Sequence, residues 1–110
     1  MVEEYIRKTI EKFNQKAASD EKMKEELIGY QRRVEIRLDD GRIYNFEISN
    51  GMASDLREGG AENPEVVIET SAEMVEKLTE GELRIMKAYV TKKIRIKATL
   101  EDMLKIRKFF

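Results

Sequence analysis

Neither cysteine nor histidine occurs in this chain, and the two absences narrow its chemistry more than any residue present. No disulfide framework or thiolate metal site can form, and the commonest general base and metal ligand is missing. Carboxylates, lysines, tyrosines and four serines remain for any reaction. Asp39-Asp40-Gly41 is the acidic run that could suggest calcium, but it lacks the spaced oxygen ligands of a binding loop and reads as a turn. No glutamate lies among apolar neighbours that would lift its pKa usefully, and no glycine-rich phosphate loop or nucleophile elbow occurs. The expectation is a non-catalytic protein without metal or cofactor.

The chemistry left is burial of hydrocarbon. The terminal stretch carries Leu100, Met103, Leu104, Ile106, Phe109 and Phe110, which at helical spacing cover well over half the circumference rather than one stripe. Such a helix needs cover: it can close an apolar cavity as a lid, complete a solid core, or dock on a partner. Expected walls of a cavity are Tyr44, Phe46, Met52 and Leu56 from a strand meander, Leu83, Met86 and Tyr89 from a helical turn, Ile94 and Ile96 from a late strand, and Leu100, Met103, Leu104, Phe109 and Phe110 from the terminal helix. Met and aromatic side chains make adaptable wall material. Each buried methylene yields about 0.8 kcal/mol, so a long acyl chain gains on the order of 11 kcal/mol before binding costs are subtracted. Arg33, Arg37 or Arg42 near a mouth could hold a carboxylate or phosphate.

The elements that must position these residues follow from periodicity. Val2, Ile6, Ile10, Phe13 and Ala17 recur at helical spacing, an amphipathic first helix. Ser19 or Asp20 can cap a second, with Met23, Leu27 and Ile28 on one side and Gly29 as its stop. From Arg33 the period becomes two: Val34, Ile36 and Leu38 form one row and Tyr44, Phe46 and Ile48 another. Both rows share a face only if Asp39-Asp40-Gly41 is a three-residue loop pairing Leu38 with Arg42, with Gly41 in the left-handed position. The same arithmetic at Ser49-Asn50-Gly51 pairs Ile48 with Met52 and continues the row through Ser54 and Leu56. Val66 and Ile68 begin a fourth strand. Thr70-Ser71-Ala72-Glu73 reads as a capping box for a helix with Met74, Val75 and Leu78 inside and Gly81 at its end. A helical turn follows with Leu83, Met86, Tyr89 and Val90, then a strand of Ile94, Ile96 and Ala98, and Thr99 caps the last helix. Helices grouped around antiparallel strands predict an α+β fold, helices on one face of the sheet.

Composition bounds the rest. With 110 residues the chain fits a single domain, 1–110. Charged residues make up 39%, yet 21 basic side chains nearly cancel 22 acidic ones, which argues against a nucleic-acid surface. No apolar run reaches the length of a membrane span and the start lacks a signal-peptide pattern. A cytoplasmic, unexported protein is expected.

Several segments then resemble the sterol carrier protein type 2 family. Asn63-Pro64-Glu65-Val66-Val67-Ile68 looks like its strand after an acidic loop, and Ser71 to Leu78 with Gly81 looks like its short helix ending in glycine. Ala88-Tyr89-Val90-Thr91 before Lys93-Ile94-Arg95-Ile96 looks like its turn into a basic and apolar strand, and Ile48-Ser49-Asn50-Gly51 fits its apolar strand ending in glycine. Lys92 stands where the family usually has glycine, and Ala98-Thr99 where it often has Gly-Asp. The resemblance implies a five-stranded, mostly antiparallel sheet covered by helices, with an apolar tunnel for a fatty acyl, isoprenoid or sterol-like lipid; transient membrane contact is a further expectation. The alternative is an interaction module whose terminal helix docks on a second copy, as a homodimer, or on another protein.

Overall fold

The computed structural model of the chain describes residues 1–110. Helix α1 (Val2–Ser19) runs into α2 (Glu21–Glu26), and strands β1 (Arg32–Leu38) and β2 (Ile43–Ser49) form a hairpin. Two short strands, β3 (Met52–Ala53) and β4 (Arg57–Glu58), precede β5 (Val66–Thr70), α3 (Ala72–Thr79), α4 (Ile85–Val90), β6 (Arg95–Lys97) and α5 (Leu100–Phe109). The sheet order is β3-β2-β1-β5-β6, with β4 also on the outer edge of β2. Only β1 and β5 pair in parallel; the other ladders are antiparallel. The result is the expected α+β architecture, with the third meander strand split in two so that six strands fill five positions.

The first hairpin closes as its residue pattern requires. Leu38 N–H donates to Arg42 O at 2.9 Å, Gly41 N–H donates back to Leu38 O at 3.1 Å, and Gly41 takes φ +93°. This three-residue loop places Val34 opposite Phe46 and Ile36 opposite Tyr44, so the apolar rows share one face. The second turn differs from expectation. Asn50 (φ +53°) and Gly51 (φ +78°) both enter the left-handed region and close a two-residue loop, so Ile48 pairs with Ala53 and Ser49 with Met52. Met52 therefore points outward, 59% exposed, while Ala53 is buried. Between β3 and β4 the register slips by one residue, since Ile48 faces Ala53 but Tyr44 faces Glu58. That bulge returns Leu56 to the core.

Helix ends show similar local control. Asp20 caps α2 through its carboxylate, accepting from Met23 N–H at 3.1 Å, and Met23 and Leu27 are buried while Ile28 is 80% exposed. Ile28 lies past the end of α2 in its closing turn, so helical spacing no longer governs it. Ser71, not Thr70, caps α3, its hydroxyl accepting from Met74 N–H at 3.1 Å. Thr70 is spent as the last residue of β5. Helix α4 begins at Ile85 with Arg84 as its cap residue, so Ile85 and Ala88 turn inward and Tyr89 and Val90 outward. The helical spacing counted from Leu83 fails because Leu83 precedes the helix. Lys92, at the position where the resemblance expects glycine, has φ +63°, the left-handed backbone that glycine adopts without strain.

The helices pack on the face that bears Val34, Ile36, Phe46, Ile48, Val66 and Ile96, and the main core lies between. The opposite face is part-covered by the loop after β4. There Glu35, 4% exposed, accepts from Ala61 N–H at 2.9 Å, and Asn45 donates to Gly59 O at 2.8 Å. A Cβ on Gly60 would meet Glu35 Oε1 at 2.8 Å, so a larger residue there displaces that carboxylate.

Candidate functional site

Between the helix layer and the sheet lies a cavity of about 450 Å³, within the range that small-molecule sites occupy. Helix α1 supplies one wall with Ile6, Thr9, Ile10 and Phe13; the sheet supplies Val34, Ile36, Phe46, Ile48, Val66 and Ile68. Val75 and Leu78 of α3, then Leu83 and Ile85, close a third side, and Ile106, Phe109 and Phe110 of the chain end close a fourth. Phe110 stacks on Phe13 at 5.1 Å and Phe109 meets the same ring edge-on at 6.1 Å. Terminal aromatics thus shut one side through contact with α1 rather than by fraying.

Of the expected wall residues, Phe46, Leu83, Phe109 and Phe110 line this cavity. Tyr44, Leu56, Ile94 and Ile96 are buried in the surrounding core but do not reach it, and Met86 and Met103 are half-buried and do not reach it either. Met52, Tyr89, Leu100 and Leu104 are exposed and lie elsewhere. For the terminal helix the cause is Asp102. It is 1% exposed and faces inward, so the inner stripe of α5 is Asp102, Ile106 and Phe109, which rotates Leu100 and Leu104 to the outside.

The wall is apolar but its charges are of one sign. Lys12, Lys16, Arg32, Arg84 and Lys105 border the cavity and no carboxylate does. Lys12, Lys16 and Lys105 donate only to backbone carbonyls, of Thr79 at 3.0 Å, Lys108 at 3.4 Å and Glu26 at 3.4 Å. None of these three, nor Arg84, forms an ion pair. Lys12, Lys16, Arg84 and Phe110 are exposed and mark the mouth, whereas Arg32 and Lys105 sit deeper. By contrast Arg33, Arg37 and Arg42, the arginines expected there, stay away from the cavity. Arg33 and Arg37 alternate to the other face of β1, where Arg33 donates to Glu62 O and Arg37 pairs with Glu35, and Arg42 bridges to Asp40 at 2.6 Å.

Arg32 is held in place from behind. Its Nε donates to both oxygens of Asp102, at 2.9 and 3.0 Å, and Tyr30 O–H donates to Asp102 Oδ1 at 2.5 Å. The guanidinium lies 4.4 Å from the centroid of the Tyr30 ring, and Lys105 Nζ lies 5.1 Å from the same centroid. Burial, followed by the bond to Asp102, pushes the Tyr30 phenol well above its ordinary value, so it stays a donor. Burial works against the charge of Arg32, but the hydrogen bond and charge of Asp102 outweigh it and raise its pKa. The signal for this residue was present: Tyr30 and Arg32 continue the alternation of Val34, Ile36 and Leu38, which puts both on the helix face.

The description of the SCP-2 sterol transfer family matches residues 10–110. The chain belongs to the SCP-2 sterol transfer family. Among solved structures, the sterol carrier protein 2 like 2 of Aedes aegypti superposes with TM-score 0.63 at 12% identity, with 100% of both chains covered. The sterol carrier protein 2 of Aedes aegypti, in complex with the fatty acid palmitate, gives 0.63 at 13% identity over 99% of this chain and 94% of that one. A stereoselective inverting sec-alkylsulfatase from a Pseudomonas species gives 0.63 at 10% identity, where 78% of this chain matches only 14% of the enzyme. At such identities the likeness is one of fold. No curated protein matches the chain significantly in sequence. The SCP-2 fold agrees with the α+β sheet and the helix-covered face derived above, and no helix of the chain is long and apolar enough to cross a membrane.

Proposed function

We propose that this SCP-2 protein binds and carries a single-chain lipid with an anionic head group. The carrying observation is the cavity itself: about 450 Å³, walled mainly by aliphatic and aromatic side chains and bordered by Lys12, Lys16, Arg84 and Lys105, which form no ion pair, beside Arg32, which Asp102 pairs from behind. Apolar walls gain roughly 0.8 kcal/mol for each methylene they dehydrate, while cations at the mouth let a carboxylate or phosphate stay solvated and charge-paired. The palmitate complex of the Aedes aegypti relative supports a fatty acyl chain as the occupant. A neutral sterol uses the walls but leaves the cations idle. No side chain is assigned a catalytic role, so the reading is a carrier, acting in a reducing compartment such as the cytoplasm and meeting membranes briefly to exchange its load. Lipid extraction and native mass spectrometry of the purified protein test it. One acyl lipid per chain is expected; a lipid-free protein that also takes up no fluorescent fatty acid contradicts it.

A second reading rests on Leu100 and Leu104, which are 76% and 52% exposed on the outer face of α5. One helical turn apart, they offer an apolar contact to a second copy of the chain. Sedimentation separates the two readings, because a monomer that binds lipid needs no such contact.

A further inference from the structure

The basic side chains are spread unevenly along the chain. Six of the 21, Arg84, Lys87, Lys92, Lys93, Arg95 and Lys97, fall between Glu82 and Glu101, where no acidic residue occurs, so the other 15 stand against all 22 acids elsewhere. All six are exposed, and none forms an ion pair. They wrap one edge of the sheet. Arg84 and Lys87 lie within the first turn of α4, Lys92 and Lys93 in the turn that follows it, and Arg95 and Lys97 alternate outward on β6, the last strand of the sheet order. Arg84 also borders the cavity, so the patch begins at its mouth. Lys92, Lys93 and Arg95 share a groove in which Asp39 and Glu69 offset part of the charge. Val90, 71% exposed, stands between Lys87 and Lys92 in the chain, with exposed Tyr89 beside it. Crowded cations without counter-charge repel one another, and an anionic surface relieves that repulsion.

We propose that this edge, α4 with the turn into β6, docks on an anionic bilayer surface and brings the cavity mouth up to it. A cluster of lysines and arginines is attracted to the negative potential of such a surface. The remainder of the chain carries an excess of acids, which the same surface repels, so this edge is the one turned toward it. Val90 separates a bilayer from a nucleic acid. An exposed aliphatic side chain among cations gains nothing from a row of phosphates, but it is dehydrated at the boundary between lipid head groups and acyl chains. Lysine stems can lie along that boundary while their ammonium groups stay among the phosphates. The inference rests on the carrier reading above and adds the surface at which the load is exchanged.

The chain has no tryptophan, so a single one reports its own surroundings. Val90→Trp is expected to shift its emission to the blue on addition of vesicles of equal parts phosphatidylcholine and phosphatidylglycerol, and to stay unchanged with phosphatidylcholine alone. Met52→Trp, at an exposed site on the opposite edge of the sheet, should shift with neither. In co-sedimentation with the anionic vesicles, wild type should partition to the lipid, and combined Lys87→Gln, Lys92→Gln and Lys93→Gln should lower that partition roughly a hundredfold, since each cation near the surface is worth about fivefold. Equal shifts from the two tryptophans, unchanged partition of the glutamine variant, or wild type that ignores anionic vesicles while binding a DNA duplex or nothing at all, overturns the inference. Hexadecanoate binding titrated without vesicles is independent of all three results, so the carrier reading stands or falls by that measurement alone.

Discussion

Asp102, on the last helix, accepts the Tyr30 phenol proton at 2.5 Å and so ties α5 to the segment that enters β1, seventy-two residues away. The same carboxylate holds Arg32 through both its oxygens. One buried acid thus fixes the orientation of the chain end and aims a cation at the cavity. Removing one member of a buried charged cluster leaves the others unpaired, which costs more than the cluster is worth as a whole. Asp102→Asn should lower stability by about 3 kcal/mol, and Tyr30→Phe by about 1–2 kcal/mol because Arg32 still satisfies the carboxylate. Urea unfolding of the two variants checks both values and their order.

Alkaline pH should act through the same cluster. The phenol of Tyr30 is raised above 10.0 by burial and by Asp102, and those of Tyr5 and Tyr44 by their bonds to Glu76 and Glu3. A group whose folded pKa exceeds its unfolded value contributes stability that is complete below the unfolded pKa and is lost above it. Stability contributed by these phenols is therefore constant up to about pH 9 and declines as pH rises past about 10. Tyr30→Phe should flatten that decline, measured as the denaturant midpoint between pH 8 and pH 11.

Lys92 holds a left-handed backbone at φ +63°. A side chain there costs about 1 kcal/mol that glycine avoids, offset in part by the greater freedom of glycine in the unfolded chain. Lys92→Gly should raise stability by roughly 0.5 kcal/mol, seen as a small upward shift in thermal midpoint; a fall in the midpoint would show that the lysine makes a compensating contact.

The ring of Phe110 stacks on Phe13 at the cavity mouth. Such a pair contributes about 1 kcal/mol beyond burial, so Phe110→Ala should leave the fold intact and open the mouth. Stopped-flow release of a fluorescent fatty acid should quicken by roughly fivefold, the rate equivalent of losing that contact. Unchanged release would mean that the lipid leaves by another route.

Charge bordering the cavity predicts salt dependence. Lys105→Gln and Lys16→Gln should each weaken hexadecanoate while leaving its methyl ester unaffected, and the acid should bind more weakly at high salt because exposed charges are screened within about 10 Å at 0.1 M. Equal losses for acid and ester in a fluorescence displacement assay would show that the lysines act through packing alone.

The layered architecture was legible because it rests on periodicity. The α1 stripe, the rows at Val34 to Leu38 and Tyr44 to Ile48, and the glycine at position 41 each follow local rules that the fold obeys. Misreadings arose where one residue decides a register or a rotation. Asn50-Gly51 closes a tighter turn than its predecessor, which sends Met52 outward. A buried Asp102 turns α5 so that Leu100 and Leu104 face solvent, and an acid in an apolar helix reads as surface until its partners, far away in sequence, are known. The cavity walls were harder still. Ile10 and Val34 read as ordinary core, and whether two packed layers leave a space depends on volumes that no periodicity records.

The central claim is that this space receives the lipid. Val34 and Ile68 both border it, and Ile68→Trp would fill much of its volume. Calorimetric titration of hexadecanoate into wild type and Ile68→Trp, with folding of both confirmed by circular dichroism, tests the claim most directly. The account predicts one site per chain in wild type and loss of binding in the filled variant. Equal binding by the two folded proteins, or none by wild type, would contradict it.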